Sequence, residues 1–322
     1  MDNNPYHMKL GSIFKTLREG KKLTLAQLSG EGTDFKICSA KTITRLEQNG
    51  RIPNSGILHK LLSVLDVTVE EFEAMAFGGN MKKFNDDFVR IWAVGYDSNY
   101  DKMDEMLKTL RKQVYCDESI PTISQAIQLC KGTLLYEASK KLQAASVVLT
   151  NALKATAPNV VNNDNNLCLN KIRKQTFSMN EYRIIKTLAC IMDDLGERSG
   201  AIKLFDTIIT SLEREATSYE MRKKLLPTSY FNLSNMLLED RLYLQALEVA
   251  ERGLNFCFET KEYKEDGKLH WNKGRAYHGL NDLEQSNLFF QKSHDIFVSR
   301  NDTSTAQRLK ETALTKYKTT IG

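Results

Sequence analysis

The sequence predicts an all-α protein, with a small head of five short helices followed by an array of helical hairpins. Three observations predict it. Breakers are scarce, at 5 Pro and 17 Gly in 322 residues. Apolar residues recur at the three-and-four spacing of a helix rather than the alternation of a strand. Three stretches of the chain repeat one another in register. An apolar fraction of 41% and a charged fraction of 26% suit an ordinary globular protein. No apolar run approaches the ~20 residues a membrane span needs. The start, MDNNPYHMKL, lacks the layout of a secretory leader. A cytoplasmic protein without membrane association is expected. Cys38, Cys116, Cys130, Cys168, Cys190 and Cys257 form no CxxC pair, so reduced thiols, mostly packed in helices, are expected rather than disulfides or a zinc site.

Helical spacing begins at once. Leu10, Ile13, Phe14 and Leu17 form one apolar stripe, closed by Gly20-Lys21-Lys22. Thr24 caps a short second helix, LAQLS, with Leu25 and Leu28 turned inward. A polar loop runs from Gly30 to Lys36. Ser39 then caps a third helix, because its hydroxyl accepts an orphan N–H of the first turn. Ile43 and Leu46 face the core, Gly50 fits the left-handed C-terminal position, and Pro53 prevents continuation. A fourth helix buries Ile57, Leu58, Leu61, Leu62 and Leu65. A fifth starts near Thr68 and buries Val69, Phe72 and Met75.

Charge is uneven. Residues 1–60 hold ten Lys/Arg against five Asp/Glu, so the whole formal charge of +5 lies there. A basic head on a neutral body suggests a polyanionic partner for the head alone. The third helix leaves Lys41, Thr42, Thr44, Arg45 and Gln48 on its outer side.

This pattern, from Leu10 to Phe72, resembles the helix-turn-helix domain of the phage-repressor (XRE) type. The most specific part is "TITRLEQNGRIPNSGILHKLLSVLDVTVEEF", where Arg45, Leu46, Glu47, Gly50, Pro53, Leu65, Val67, Thr68 and Phe72 fill the family's places. Two departures stand out. The loop between the second and third helices is about four residues longer than the family norm, and Leu25 replaces a frequent phosphate-contacting Gln. The resemblance implies a third helix seated in the major groove of double-stranded DNA. Ser39 and Ala40 then stand at its front, Lys41 and Arg45 suit guanine O6 and N7, and Thr42 suits a thymine methyl or a phosphate. Lys36, Arg51 and Asn54 flank the helix and suit backbone phosphates. Glu47 is expected to pair locally.

The repeats begin further on. "YRIIKTLACIMDDLGERSGAIKLFDTII", "PTSYFNLSNMLLEDRLYLQALEVAERGL" and "GKLHWNKGRAYHGLNDLEQSNLFFQKSH" align so that Ala189, Ser234 and Gly274 coincide. So do Ala201, Ala246 and Ser286, then Phe205, Ala250 and Phe290, then Ile208, Gly253 and Ser293. Small residues in two columns let paired helices approach closely, and the larger residue four on fills the space against the next pair. A weaker copy places Thr133, Ala145, Leu149 and Ala152 in the same columns. A still weaker pair spans about 82–113, the Asn-rich 157–168 interrupts the array, and a helix near 302–319 caps it. The pattern resembles the tetratricopeptide repeat, a helix–turn–helix unit of about 34 residues stacked into a right-handed superhelix.

Such a stack has a groove lined by the first helix of each pair. The expected lining is Arg183, Lys186 and Cys190, then Phe231, Asn232 and Asn235, then Trp271, Asn272 and Arg275. Asn offers donors and an acceptor to an extended peptide backbone. Lys186 and Arg275 suit a carboxylate. Trp271, Phe231 and Tyr182 or Tyr230 would supply apolar pockets.

The combination resembles the peptide-pheromone-responsive regulators of the Rgg/PlcR/PrgX type. The Rgg-like branch is suggested by "LGSIFKTLREGKK". This implies a homodimeric transcription factor on a palindromic promoter site. Residues 1–76 would bind DNA; residues 77–322 would bind a short signalling peptide and dimerise. In that group groove Asn residues hold the peptide backbone, and Asn232, Asn235 and Asn272 sit compatibly. The alternative is a regulator whose repeats bind a protein partner. His7, His59, His270, His278 and His294 are scattered, and no HExxH, GxSxG, P-loop or dinucleotide fingerprint appears, so neither an enzyme nor a cofactor or metal site is expected.

Overall fold

The computed structural model describes residues 5–53, 55–69, 71–72, 75, 79–214 and 217–322. Among them the regular structure is helical, with one isolated antiparallel bridge between Val161 and Leu167. The chain divides into two compact units, residues 1–188 and 189–322.

The first unit opens with α1 (Pro5–Gly20), α2 (Leu25–Ser29), α3 (Ala40–Asn49) and α4 (Ser55–Val64). The caps form as the residues dictate. Thr24 Oγ1 accepts from Gln27 N while Gln27 Oε1 accepts from Thr24 N, a reciprocal box that starts α2. Thr68 and Glu71 make the same exchange, and the chain is helical at Val69, Glu71, Phe72 and Met75. Leu10, Phe14, Leu28, Ile43, Leu46, Leu58, Leu61, Leu62, Leu65 and Phe72 form the core, and Phe14 meets Phe72 edge-on at 6.0 Å. Phe72 fills the place against Phe14, so Met75, expected inside, is 50% exposed. Ile13, Leu17, Leu25, Ile57 and Val69 are only half-buried.

The unit continues with α5 (Gly79–Tyr96), α6 (Tyr100–Leu110), α7 (Pro121–Thr133), α8 (Leu142–Thr156), α9 (Leu169–Arg173) and the start of α10 (Met179–Asp194). A π turn, Leu134–Ala138, extends α7. It corrects one expected column. Gly132, not Thr133, makes the close approach: a Cβ there would stand 2.5 Å from Leu149. Thr133 is half-buried. A π turn holds one residue more than an α turn, so the small pair Gly132 and Ala145 is one residue wider than in the later repeats. Polar bonds running from buried Gln125 to buried Glu181 join three helices. Gln125 Nε2 donates to Thr156 Oγ1 at 2.5 Å, and Thr156 Oγ1 donates to Glu181 Oε1 at 2.6 Å. Glu181 Oε2 accepts from Ser178 N at 2.7 Å, capping α10.

The second unit holds the end of α10, then α11 (Arg198–Leu212), α12 (Tyr219–Glu239), α13 (Tyr243–Thr260), α14 (Asp266–Gly279), α15 (Leu283–Ser299) and α16 (Thr303–Tyr317). All four expected columns are buried. The small residues also bond. Ser286 Oγ donates to Gly274 O at 3.0 Å and Ser293 Oγ to Gly267 O at 2.7 Å, both from α15 to α14. A Cβ on Gly274 would meet the Phe290 ring at 2.5 Å. α12 begins eight residues before the aligned segment and carries Pro227 in its interior.

One turn recurs in both units. Three residues join α5 to α6, the π turn to α8, α10 to α11, α12 to α13, α14 to α15 and α15 to α16. The middle residue is left-handed each time: Ser98, Lys140, Gly196, Arg241, Asn281 and Asn301. Such a residue ends one helix sharply and reverses the chain into the next. The six cysteines are free thiols. Three lie in helices and three in connections, fewer in helices than expected. Burial pushes the Cys130 and Cys257 thiols up to about 12.

Candidate functional site

The head presents α3 by fixing both its ends and its inner face. Ser39 Oγ accepts from Thr42 N at 3.3 Å and meets Thr42 Oγ1 at 3.0 Å. Gly50 adopts φ 62°, its N–H donates to Leu46 O at 3.0 Å, and Arg51 N donates to Arg45 O at 3.1 Å. Ile43 and Leu46 are fully buried. α1 crosses so near that a Cβ on Gly11 would stand 2.3 Å from Leu46 O, which gives the glycine of "LGSIF" its physical reason. Glu47 does pair locally. Arg18 Nε donates to Glu47 Oε1 at 2.6 Å and its Nη2 to Oε2 at 2.9 Å, while Nη1 donates to Leu23 O at 2.8 Å. The hydrogen bond that Arg18 donates to Glu47 holds the guanidinium charged by raising its pKa further.

The outer face is different. Lys36, Lys41, Arg45 and Arg51 are exposed, and among the described residues none of the four forms an ion pair. By contrast Lys15, Arg18 and Lys21 face Glu19, Glu47 and Asp66. The head thus pairs the buried Arg18 and the exposed Lys15 and Lys21, and leaves the outer side of α3 positive. Ser39 and Ala40 are half-buried. The Ser39 hydroxyl is occupied as a cap, and Ala40 N donates to Glu31 Oε2 at 3.1 Å. Asn54 lies outside the described residues.

In the second unit, α12 and α14 bring together only part of the expected groove. Arg275 Nη1 donates to Asn235 Oδ1 at 2.5 Å and to Asn272 Oδ1 at 3.4 Å, and its Nη2 donates to Glu239. Asn232 is half-buried, with Nδ2 at 3.7 Å from Cys190 Sγ. Phe231 is half-buried under Lys268 Nζ, 5.3 Å from its ring centre. Asn272 departs from expectation. It is 1% exposed, and its Nδ2 donates to Ser234 Oγ at 2.8 Å and Phe231 O at 3.3 Å. It fastens α14 to α12 instead of standing open. Trp271 also turns inward, packing on Phe290 at 4.5 Å and Tyr317 at 5.9 Å. Tyr230 is buried and donates to Glu213. Glu239 and Lys268 were missed by sequence; Glu239 lies one helical turn beyond Asn235, which was the available signal.

In the first unit Arg183 and Lys186 are half-buried. The Arg183 guanidinium lies 4.6 Å from the Trp92 ring centre and donates to Asn180 Oδ1 at 3.2 Å. Burial pulls its pKa down to about 10, so it stays charged at neutral pH. Tyr182 is wholly buried against Phe177. An open cleft of about 350 Å³ between α5 and α6, lined by Asp87, Lys102, Glu105 and Tyr115, had no sequence signal. Among the described residues no cluster could hold a metal ion, and no helix is long and apolar enough to cross a membrane.

A five-helix head with an uncompensated cationic helix, followed by helical hairpin repeats, defines the class: a helix-turn-helix protein with a tetratricopeptide-like body. Residues 132–297 match the RNPP family C-terminal domain. That is more than half of the chain, and the chain belongs to the RNPP family. The fold is similar to that of Bacillus thuringiensis PlcR in complex with the peptide PapR7 and DNA, at 18% identity and a TM-score of 0.59, over 94% of this chain and 99% of that one. It is similar to the apo form of the same protein at 17% identity and a TM-score of 0.56, over 94% and 98%. The apo form of the competence regulator ComR from Streptococcus vestibularis is similar at 12% identity and a TM-score of 0.50, over 96% and 98%. At such identities the likeness establishes the fold. No curated protein matches the sequence.

Proposed function

We propose that this chain is a cytoplasmic, sequence-specific transcriptional regulator that binds duplex DNA through residues 1–76 and senses a short signalling peptide through residues 77–322. One observation carries the reading: four exposed cations, Lys36, Lys41, Arg45 and Arg51, stand without ion pairs among the described residues, on and around a helix whose other face and both ends are locked. Such a helix enters a major groove N-terminus first, with flanking cations on phosphates. A homodimer sets two such helices about one turn of DNA apart on a palindromic site.

On the repeats, Asn232, Asn235, Phe231 and Arg275 form the peptide-contacting surface. A peptide carboxylate competes with Glu239 for Arg275 and frees Asn235 to bond the peptide backbone. The peptide acts by its differential affinity for two arrangements of the helices. Fluorescence anisotropy on promoter DNA tests the first half: affinity falls steeply with salt, and a flat salt dependence refutes it. The double variant Asn232→Ala, Asn235→Ala tests the second. It loses the peptide response and keeps DNA affinity; joint loss of both overturns the surface assignment.

A further inference from the structure

Between α2 and α3 the chain forms a loop that its own bonds hold in one shape. Ile37 N and Cys38 N both donate to Ser29 O, at 2.9 and 3.3 Å. Thr33 Oγ1 donates to Gly30 O at 2.9 Å and accepts from Phe35 N at 3.2 Å. Glu31 Oε2 takes the N–H of Ala40, tying the loop to the first turn of α3. Gly30, at φ 66°, admits Phe35 O where a Cβ would stand, 2.5 Å away. On this pinned backbone the Phe35 side chain is 87% exposed. A lone exposed apolar side chain on a loose loop means little. Here the loop backbone is bonded into one shape, the ring stands clear of it, and Lys36 follows directly.

We propose that Phe35 is a specificity-determining residue for DNA, its ring meeting a thymine methyl group in a base pair flanking the footprint of α3. The inference rests on the DNA-binding reading above. A reading helix approaches the groove with its N-terminal end, so the segment just before Ala40 comes to the groove rim. Phe35 lies five positions before Ala40, a span of at most about 18 Å, against a groove about 12 Å wide. Lys36, Lys41 and Arg45 draw this corner onto the duplex. The thymine methyl is the apolar feature that the major groove presents; the deoxyribose edge is the other apolar surface within reach.

The test uses full-length protein, duplexes with randomised sequence, and low salt. Wild-type protein enriches a motif with thymine at a flanking position. Phe35→Ala keeps the central motif and loses about tenfold of the flanking preference, while Phe35→Leu keeps most of it. Replacing that thymine with deoxyuridine lowers wild-type affinity by a similar factor. An unchanged flanking preference in Phe35→Ala overturns the proposal. Equal weakening at every flanking base, with deoxyuridine neutral, assigns the ring to sugar and also overturns it. If wild-type protein enriches no motif, the DNA-binding reading itself fails. Thermal melting matched to wild type shows that Phe35→Ala folds.

Discussion

Replacing Glu47 by Ala isolates the part of the head that holds α3 in place. The carboxylate is 6% exposed and the Arg18 side chain 11%, and the two form parallel bonds of 2.6 and 2.9 Å. Taking one partner from a buried pair costs about 3–5 kcal/mol, whereas an exposed pair is worth about 1 kcal/mol or less. Arg18 keeps its bond to Leu23 O and a contact to Glu19 at 3.5 Å, so the low end, about 3 kcal/mol, applies. At 1.4 kcal/mol per decade this is about a hundredfold rise in opening. Hydrogen exchange read by mass spectrometry measures it segment by segment, without requiring the whole chain to unfold in one step. Amides of α1 and α3 should exchange about a hundredfold faster, and those of α13 to α15 at the wild-type rate. An acceleration under about fivefold in α3 would place the pair among surface contacts and refute the argument.

Other expectations follow from the same reasoning. Asn272→Ala should lower the stability of the second unit by about 1–3 kcal/mol, because Ser234 and Phe231 lose buried partners; Asn232→Ala should stay within about 0.5 kcal/mol of wild type, and chemical denaturation separates them. His270 stacks on Phe289, and burial pulls its pKa down to about 4. The unfolded chain therefore binds a proton that the folded one refuses, so the stability contributed by the neutral ring is complete above about pH 6.5 and drains away as pH falls towards 4. Thermal melts across that window should show the loss, and His270→Phe should remove that portion of it. Lys41→Ala should weaken DNA binding, and if Lys41 meets a phosphate the log–log salt slope should drop by about 0.9; an unchanged slope with altered sequence preference makes it a base reader.

Features set by near neighbours were legible in the sequence. The N-caps at Thr24, Ser39 and Thr68 depend on residues three positions on, and the Gly50 stop depends on one glycine and a following proline. The packed columns follow from a fixed interval between small residues. Other features depended on distant neighbours. Trp271 looked like a pocket wall because it shares a helix with Arg275, but α16 brings Tyr317 against it. Asn272 has the chemistry of a peptide ligand and of a helix fastener alike, and Ser234 across the interface decides between them. The π turn after α7 has no residue pattern of its own, so the weak copy was misaligned by one position. The exposed aromatic at Phe35 was hidden in a loop read only as polar.

The short left-handed connections have a mechanical consequence. A linkage of three residues, with its middle residue twisted back, offers no slack about which one helix could swing away from its mate. In α14 and α15 the serine bonds to Gly267 and Gly274 add a second restraint. Each hairpin therefore travels as a rigid slat, and a ligand that reshapes this body must slide one slat along the next, as shear rather than hinge bending. A ligand that slides α14 along α12 must break the Arg275 bonds to Asn235 and Glu239, which latch that seam.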